Sequence, residues 1–132
     1  MALEVATPYA SGSAPVSFST ANADVTGASG SFTTVVTGGT GGSLVSGIAV
    51  RAVTNTRSGT ILYIFHNSGG TRRNVGHIVV TPNVKPDGST GCWEGFWTNP
   101  LGANPLKNGD KYDIAPYSGT TTYVAYAIGG DY

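Results

Sequence analysis

The chain has few side chains that could do metal or acid–base chemistry. It contains two histidines, His66 and His77, and one cysteine, Cys92, and 11% of its residues are charged. The histidines could lie on adjacent strands, but a metal site needs further ligands, and no Cys, Asp or Glu stands near them at ligand spacing. We therefore expect no metal and no cofactor, and assign both histidines structural or surface roles.

The carboxylates do not form a catalytic pattern either. Asp110 and Asp113 are separated by three positions across a turn, and Glu94 lies on another predicted strand. A glycosidase would need two of them at a defined separation, which only the tertiary fold could supply. No serine stands in a Gly-x-Ser-x-Gly motif, and Cys92 has no neighbouring base to activate its thiol. The sequence thus favours a protein that binds or assembles over an enzyme.

The charge balance argues against nucleic acid or an anionic membrane as a partner, and the glycine pattern argues against a phosphate-binding loop. Seven basic residues balance seven acidic ones, which gives no long-range attraction to nucleic acid or to an anionic membrane. The nearest approach to a basic patch, Arg72-Arg73, is interpreted as a solvated hairpin edge. The glycine clusters at 38–42 and at Gly69-Gly70 lack the lysine and hydroxyl residue of a phosphate loop, so we interpret them as hairpin loops.

The aromatic residues supply the sharpest binding hypothesis. Trp93 and Trp97 are four positions apart on a predicted strand and share one face, while Phe96 faces the opposite side. Most aromatic rings are expected in the core, but one of these two sets faces outward unless both faces are covered. Exposed Trp and Tyr rings can stack on sugars or anchor a protein interface because they offer a large rigid area. The candidate partner-binding residues are Tyr9, Pro15, Trp93, Trp97, Tyr117 and Tyr132.

The elements that must position these residues are short β-strands. Strand-like runs recur about every 8 to 12 residues, separated by Gly, Asn and Ser, and no segment has a helical period. The predicted strands are 16–20, 32–37, 44–53, 60–66, 72–81, 91–98, 111–115 and 121–128. This pattern predicts an all-β fold, an antiparallel β-sandwich of about eight strands, for which a jelly-roll-like connectivity is one natural arrangement.

Two of the predicted strands show which faces are buried. In 44–53 the residues Ile48, Val50 and Ala52 share one face, which is the period of two of a half-buried strand. The run 60–66 is apolar on both faces, so we expect a central strand covered by a second sheet or by a neighbouring subunit. Imperfect spacing in 72–81 indicates a bulge near Gly76.

Length and composition favour one domain with an extended beginning. A chain of 132 residues can bury about two-thirds of its unfolded surface. We divide it into 1–31, an N-terminal arm with the first short strand, and 32–132, the β-sandwich; Tyr9 would anchor the arm on a neighbour. The single cysteine excludes an intrachain disulfide, so stability depends on packing or on partner subunits. The first residues lack signal-peptide features, and synthesis in the cytoplasm without export is expected.

The order of several motifs resembles small structural proteins encoded in tailed-bacteriophage genomes. The matching pieces are 20–24, Gly42-Ser43 with 48–52, Gly59-Thr60, Trp93-Glu94, Pro105-Leu106, Gly109-Asp110 and the closing 123–132. The resemblance implies a virion component on the capsid surface, similar to capsid decoration or cement proteins. Its implied partners are the major capsid protein and further copies of itself in a homotrimer, and it implies no catalytic residues.

Two other functions remain open at this point. One is a carbohydrate or host-receptor binding module of a phage head or tail fibre, which would use Trp93, Trp97 and loop tyrosines. The other is a minor tail protein, a variant of the structural role. An enzyme is the weakest hypothesis.

Overall fold

The fold consists entirely of β-strands and loops in the residues that the computed structural model describes, which are 7–8, 14–54, 56, 58–83, 92–100 and 105–132. The strands are β1 (Thr7–Pro8), β2 (Val16–Phe18), β3 (Thr33–Thr37), β4 (Ser43–Ala52), β5 (Thr60–Ser68), β6 (Thr71–Val80), β7 (Glu94–Thr98), β8 (Lys111–Pro116) and β9 (Tyr123–Asp131). They form two antiparallel sheets, which confirms the predicted all-β class and sandwich. No helix that could cross a membrane occurs in these residues.

The chain passes repeatedly from one sheet to the other. The first sheet has the order β1-β9-β4-β7, with β2 also paired to β9, and the second has the order β3-β8-β5-β6. From β2 onward, only β5 and β6 follow each other within one sheet. The loops therefore bring segments that are distant in sequence to the same end of the sandwich.

The inward faces of the two sheets form the core. On β4, Ile48, Val50 and Ala52 are buried, as their period of two predicts. Leu62 and Ile64 of β5 meet them from the second sheet and are fully buried. Burial of such aliphatic side chains is the main stabilising term, about 1.5 to 3 kcal/mol for each.

The outer face of β5 is covered by the chain itself. Phe65 is buried, and its ring packs edge-on against Phe32 with centroids 5.0 Å apart. Gly27 lies so close that an added Cβ would be 3.1 Å from the Phe65 ring. The prediction of a central strand covered by a second sheet is confirmed for the inward face, while on the outward face Phe65 is covered by residues of the same chain, which the prediction did not include.

The bulge predicted near Gly76 is confirmed. The register of β5 with β6 shifts between Ile64 and Phe65, which pair with Gly76 and Asn74. The residue between them, Val75, has no partner on β5. The Asn74 side-chain oxygen accepts a hydrogen bond from the Gly76 amide, 3.2 Å away, and this bond holds the bulge.

Residues 14–31 lie on the sandwich of their own chain. β2 pairs with β9, and Phe18 is part of the core. The Asn22 amide donates to the Pro116 carbonyl at 2.7 Å. Residues 1–6 and 9–13, which include Tyr9, lie outside the described residues, and an arm that reaches a neighbour stays a prediction.

Candidate functional site

The outward face of the first sheet carries a row of exposed apolar side chains. Ala49 of β4 pairs with Phe96 of β7 on one side and with Tyr126 of β9 on the other. Phe96 is 49% exposed, Tyr126 46%, and Ile128, two positions further along β9, 42%. We call Ala49, Phe96, Tyr126 and Ile128 the β4–β7–β9 face. It is an apolar surface on a rigid three-stranded scaffold.

Gly47 makes this surface continuous. It pairs with Ile128 on β9 and with Thr98 on β7. A Cβ added to Gly47 would overlap the Phe96 ring, so the ring lies directly over the glycine backbone. The phenyl ring is thereby fixed against β4 and does not project freely into solvent.

An exposed ion pair borders the face. Arg51 and Glu94 are paired across β4 and β7, with Nη1 and Oε1 3.1 Å apart. Their charges cancel locally, and exposed pairs of this kind contribute about 0 to 1 kcal/mol to stability. A hollow of about 300 Å³ separates the pair from Tyr126. The face therefore combines an uncharged aromatic centre with a polar rim, the usual anatomy of a protein interface.

The two tryptophans lie on the other side of this sheet. Trp93 and Trp97 are each 7% exposed. Trp93 packs edge-on against Tyr123 and Trp97 against Tyr112, with centroids 6.3 and 5.7 Å apart. The prediction that they share one face opposite Phe96 is confirmed, and Phe96 belongs to the outward set. Neither indole offers a free ring face to a partner.

The remaining candidate residues are dispersed. Tyr117 is exposed and packs edge-on against Tyr63 on the outer side of the second sheet, with centroids 6.4 Å apart. Tyr132 is exposed beyond β9, and its amide donates to the Gly42 carbonyl. Pro15 is exposed just before β2. The structure does not bring these residues together into one site.

The candidate set omitted the three large exposed side chains of the β4–β7–β9 face, Phe96 on β7 and Tyr126 and Ile128 on β9. The signal for Tyr126 and Ile128 is the alternation along β9, where Tyr123, Ala125 and Ala127 are buried. Residues between those three must face outward, so Tyr126 and Ile128 could have been identified once the core face of β9 was assigned.

A buried charge cluster holds residues 22–32 in place. The Asp113 carboxylate is buried and accepts from Thr34 Oγ1 at 2.8 Å, Asn67 Nδ2 at 3.1 Å and Arg72 Nε at 2.7 Å. The Arg72 guanidinium also lies 4.3 Å above the centre of the Phe32 ring. The interpretation of Arg72 as a solvated hairpin edge is therefore wrong, because its charge is needed to balance Asp113.

A second carboxylate organises the turn within that segment. Asp24 accepts from the hydroxyl and amide of Thr26 at 2.6 and 2.9 Å and from the amide and hydroxyl of Ser29 at 2.8 and 2.9 Å. The Thr26 hydroxyl bond, followed by the Thr26 amide and the Ser29 bonds, holds the pKa of Asp24 well below its ordinary 3.8. This carboxylate is exposed and has a local structural role.

Of the residues with potential for catalysis in the described part of the chain, His66 and Asp110 lie together, with Nε2 and Oδ2 3.4 Å apart, and the Ser68 hydroxyl donates to Asp110 Oδ1 at 3.0 Å. No group of three His, Cys, Asp or Glu in that part of the chain could hold a metal ion. His66 lies opposite Arg73 and His77 opposite Tyr63, and Cys92 is an exposed free thiol.

Comparison with protein-family models, with curated proteins and with solved structures finds no match to the chain. The resemblance to tailed-bacteriophage structural proteins therefore stays a prediction. The function has to be argued from the geometry of the chain.

Proposed function

We propose that this chain is a non-enzymatic virion structural protein that binds and stabilises a bacteriophage capsid shell. The observation that carries the proposal is the β4–β7–β9 face, where two aromatic rings and an isoleucine are exposed side by side. Contiguous apolar patches are uncommon on the surface of a soluble monomer and mark interaction sites. The motif order that resembles phage structural proteins supplies the class of partner, the major capsid protein.

The chemistry of the face suits a protein surface. Phe96 is held over Gly47, so its ring is positioned before binding, and Tyr126 projects from the neighbouring strand beside it. Pre-positioned aromatic rings lose little conformational entropy on docking and often dominate the binding energy. With Arg51 and Glu94 neutralising each other, docking requires no strong charge complementarity.

The strand order supports the same class by analogy. The pairing β2-β9-β4-β7 opposite β3-β8-β5-β6 is compatible with the jelly-roll-like connectivity predicted from the sequence. Jelly rolls occur in viral capsid and lectin domains. Fold alone does not assign a function, so the exposed face remains the main support.

Stabilisation of a shell follows from mass action. A protein that binds only the assembled shell stabilises it by about 4 kcal/mol per site when its free concentration is about 1,000 times the dissociation constant. A shell offers many equivalent positions, and moderate affinity at each is sufficient. We propose that the chain occupies these positions as a homotrimer on the outer surface.

Co-sedimentation with shells that lack the chain tests the docking face. We expect the unaltered protein to saturate the shells and Phe96→Glu to bind at least about tenfold more weakly, because a charge would be buried in an apolar contact. The matched control is Val79→Glu, which places the same charge at an exposed valine on β6. Full occupancy with Phe96→Glu, or equal loss with both variants, would exclude the β4–β7–β9 face.

The carbohydrate-binding alternative loses the two tryptophans of its expected platform but keeps the exposed tyrosines Tyr117 and Tyr132. Trp93 and Trp97 are packed in the core and cannot stack on a sugar ring in this structure. A role as a minor tail protein would use the same exposed face on a different shell component.

A further inference from the structure

A polar cavity lies at one end of the sandwich, away from the β4–β7–β9 face. It encloses about 410 Å³ between the hairpin of β5 and β6 and the turn that precedes β8. Its lining residues are His66, Ser68, Thr71, Arg73, Pro105, Lys107 and Asp110. This volume is within the range of small-molecule sites, which is about 300 to 1,000 Å³. None of these residues belongs to the docking face.

Two positive charges without an ion-pair partner in the described part of the chain line the cavity. In the described part of the chain, Arg51 pairs with Glu94 and Arg72 with Asp113, whereas Arg73 and Lys107 have no carboxylate partner. Lys111 has no carboxylate partner in this part of the chain either, but it does not line the hollow, whereas Arg73 and Lys107 do. The cavity can therefore attract an anionic group that this part of the chain does not supply.

Asp110 adds a hydrogen-bond acceptor beside these cations. Its side chain is 14% exposed, and its Oδ2 lies 3.4 Å from His66 Nε2. Its Oδ1 accepts from the Ser68 hydroxyl at 3.0 Å. A carboxylate has about four acceptor positions, so two remain for a ligand. An inorganic anion would be repelled by Asp110, whereas a ligand with both a carboxylate and hydroxyl groups could use all of these contacts.

The walls of the cavity are fixed by hydrogen bonds that main-chain amides donate. The Asn67 side chain accepts from the Gly70 amide at 3.1 Å and closes the hairpin. On the other wall, the Asp110 amide donates to the Lys107 carbonyl at 3.0 Å, and the Gly109 amide donates to the Gly38 carbonyl at 3.1 Å. The cavity is therefore held open without a ligand, which lowers the entropic cost of binding.

We propose that this cavity binds a carboxylated sugar. The sugar carboxylate would pair with Arg73 and Lys107, and its hydroxyl groups would donate to Asp110 and exchange hydrogen bonds with Ser68 and Thr71. The inference rests on the cavity alone and does not depend on the proposed role at the capsid. It assigns a ligand class to a site that the aromatic candidates did not include.

Titration of the ¹⁵N-labelled full chain with glucuronic acid, and separately with glucose, tests the proposal. The two sugars differ at C6, where a carboxylate replaces the hydroxymethyl group. We expect saturable shifts of the Arg73, Lys107 and Asp110 amides with a dissociation constant of about 1 mM for glucuronic acid, and no saturation with glucose. Arg73→Gln and Lys107→Gln should each weaken binding about tenfold or more, because each removes a charge-assisted contact.

Two controls make the result decisive. Arg51→Gln removes a charge outside the cavity and should leave the affinity unchanged. Inorganic sulfate should bind more weakly than glucuronic acid, because at neutral pH it has no hydroxyl group that could donate to Asp110. No saturation with glucuronic acid, equal binding of glucose, equal loss with Arg51→Gln, or tighter binding of sulfate would overturn the assignment. Arg73 and Lys107 lie on different walls of the cavity. If one of the two variants, Arg73→Gln or Lys107→Gln, fails to fold, the other still tests the proposal.

Discussion

Among single residues, Asp113 is the buried charge that most needs a compensating partner in the folded chain. Its buried carboxylate has one cationic partner, Arg72, and two neutral donors. A buried ion pair contributes little net stability, but removing one member leaves an uncompensated charge. The Arg72 side chain also covers Phe32, so its loss affects packing as well as charge.

We predict that Arg72→Leu lowers the free energy of unfolding by about 2 to 3 kcal/mol, somewhat less than for a fully buried pair because the Arg72 side chain is 29% exposed. The control Arg51→Leu breaks an exposed pair and should cost less than about 1 kcal/mol. Urea unfolding of both variants at neutral pH measures the difference. Equal losses would show that Asp113 does not need the guanidinium.

Asp24 gives a prediction with a defined pH dependence. Because the folded chain holds the pKa of Asp24 below 3.8, its contribution is fully present above that value and is lost as the pH falls toward the folded pKa. The stability difference between the unaltered chain and Asp24→Ala should be constant near neutral pH and shrink below about pH 4. Carboxyl ¹³C NMR should find Asp24 still ionised at about pH 3. A titration midpoint at or above 3.8 would contradict the hydrogen-bond geometry.

At the scale of elements, the packing of β6 against β7 depends on a missing side chain. A Cβ at Gly76 would overlap the indole nitrogen of Trp97, so the ring rests on the bulge of β6. Gly70, in the hairpin turn, differs from Gly76 in what restricts substitution. Its φ is 90°, which favours glycine, but nothing lies within 4 Å of an added Cβ.

Gly76→Ala is predicted to cost about 1 to 3 kcal/mol and to change the Trp fluorescence, because Trp97 must move. Gly70→Ala should cost about 1 to 2 kcal/mol through backbone strain alone and leave the fluorescence unchanged. Chemical unfolding monitored by circular dichroism, with emission spectra of the folded variants, separates the two effects. Unchanged emission in Gly76→Ala would mean that the ring is not held by the bulge.

The strands were more predictable than their connections. The period of two along β4 and the doubly apolar run of β5 identify these strands because each has at least one face in the core. An Asn-Gly pair between strand-like runs predicts a hairpin, and Asn108-Gly109 does form a turn, but it joins no paired strands: β8 pairs with β3 and β5, and Leu106 bridges to Ser43. Likewise the glycines at 38–42 connect β3 and β4, which belong to different sheets. Turn chemistry is local, whereas strand pairing is decided by long-range packing.

The candidate surfaces were only partly predictable for the same reason. Alternation on β7 separates Phe96 from the tryptophans, but which side meets the core depends on Trp97 pairing opposite Ile48. The polar cavity had no sequence signal at all. Arg73 and Lys107 meet there because the chain leaves β6 for β7 in the other sheet, and Lys107 lies in the connection that returns to β8 beside β5.

At the scale of the whole molecule, the chain combines zero formal net charge with an exposed apolar face. Low net charge gives little repulsion between copies, which favours association. We predict a homotrimer, with a mass by light scattering after size exclusion of three times 13.4 kDa. A mass of one chain at every concentration tested would contradict the trimer.

The most direct test of the capsid role is the melting temperature of shells, measured by calorimetry with and without the chain. We expect saturating protein to raise the shell melting temperature, Val79→Glu to raise it equally, and Phe96→Glu not to raise it at the same concentration. No rise with the unaltered chain, or an equal rise with Phe96→Glu, would contradict stabilisation through the β4–β7–β9 face.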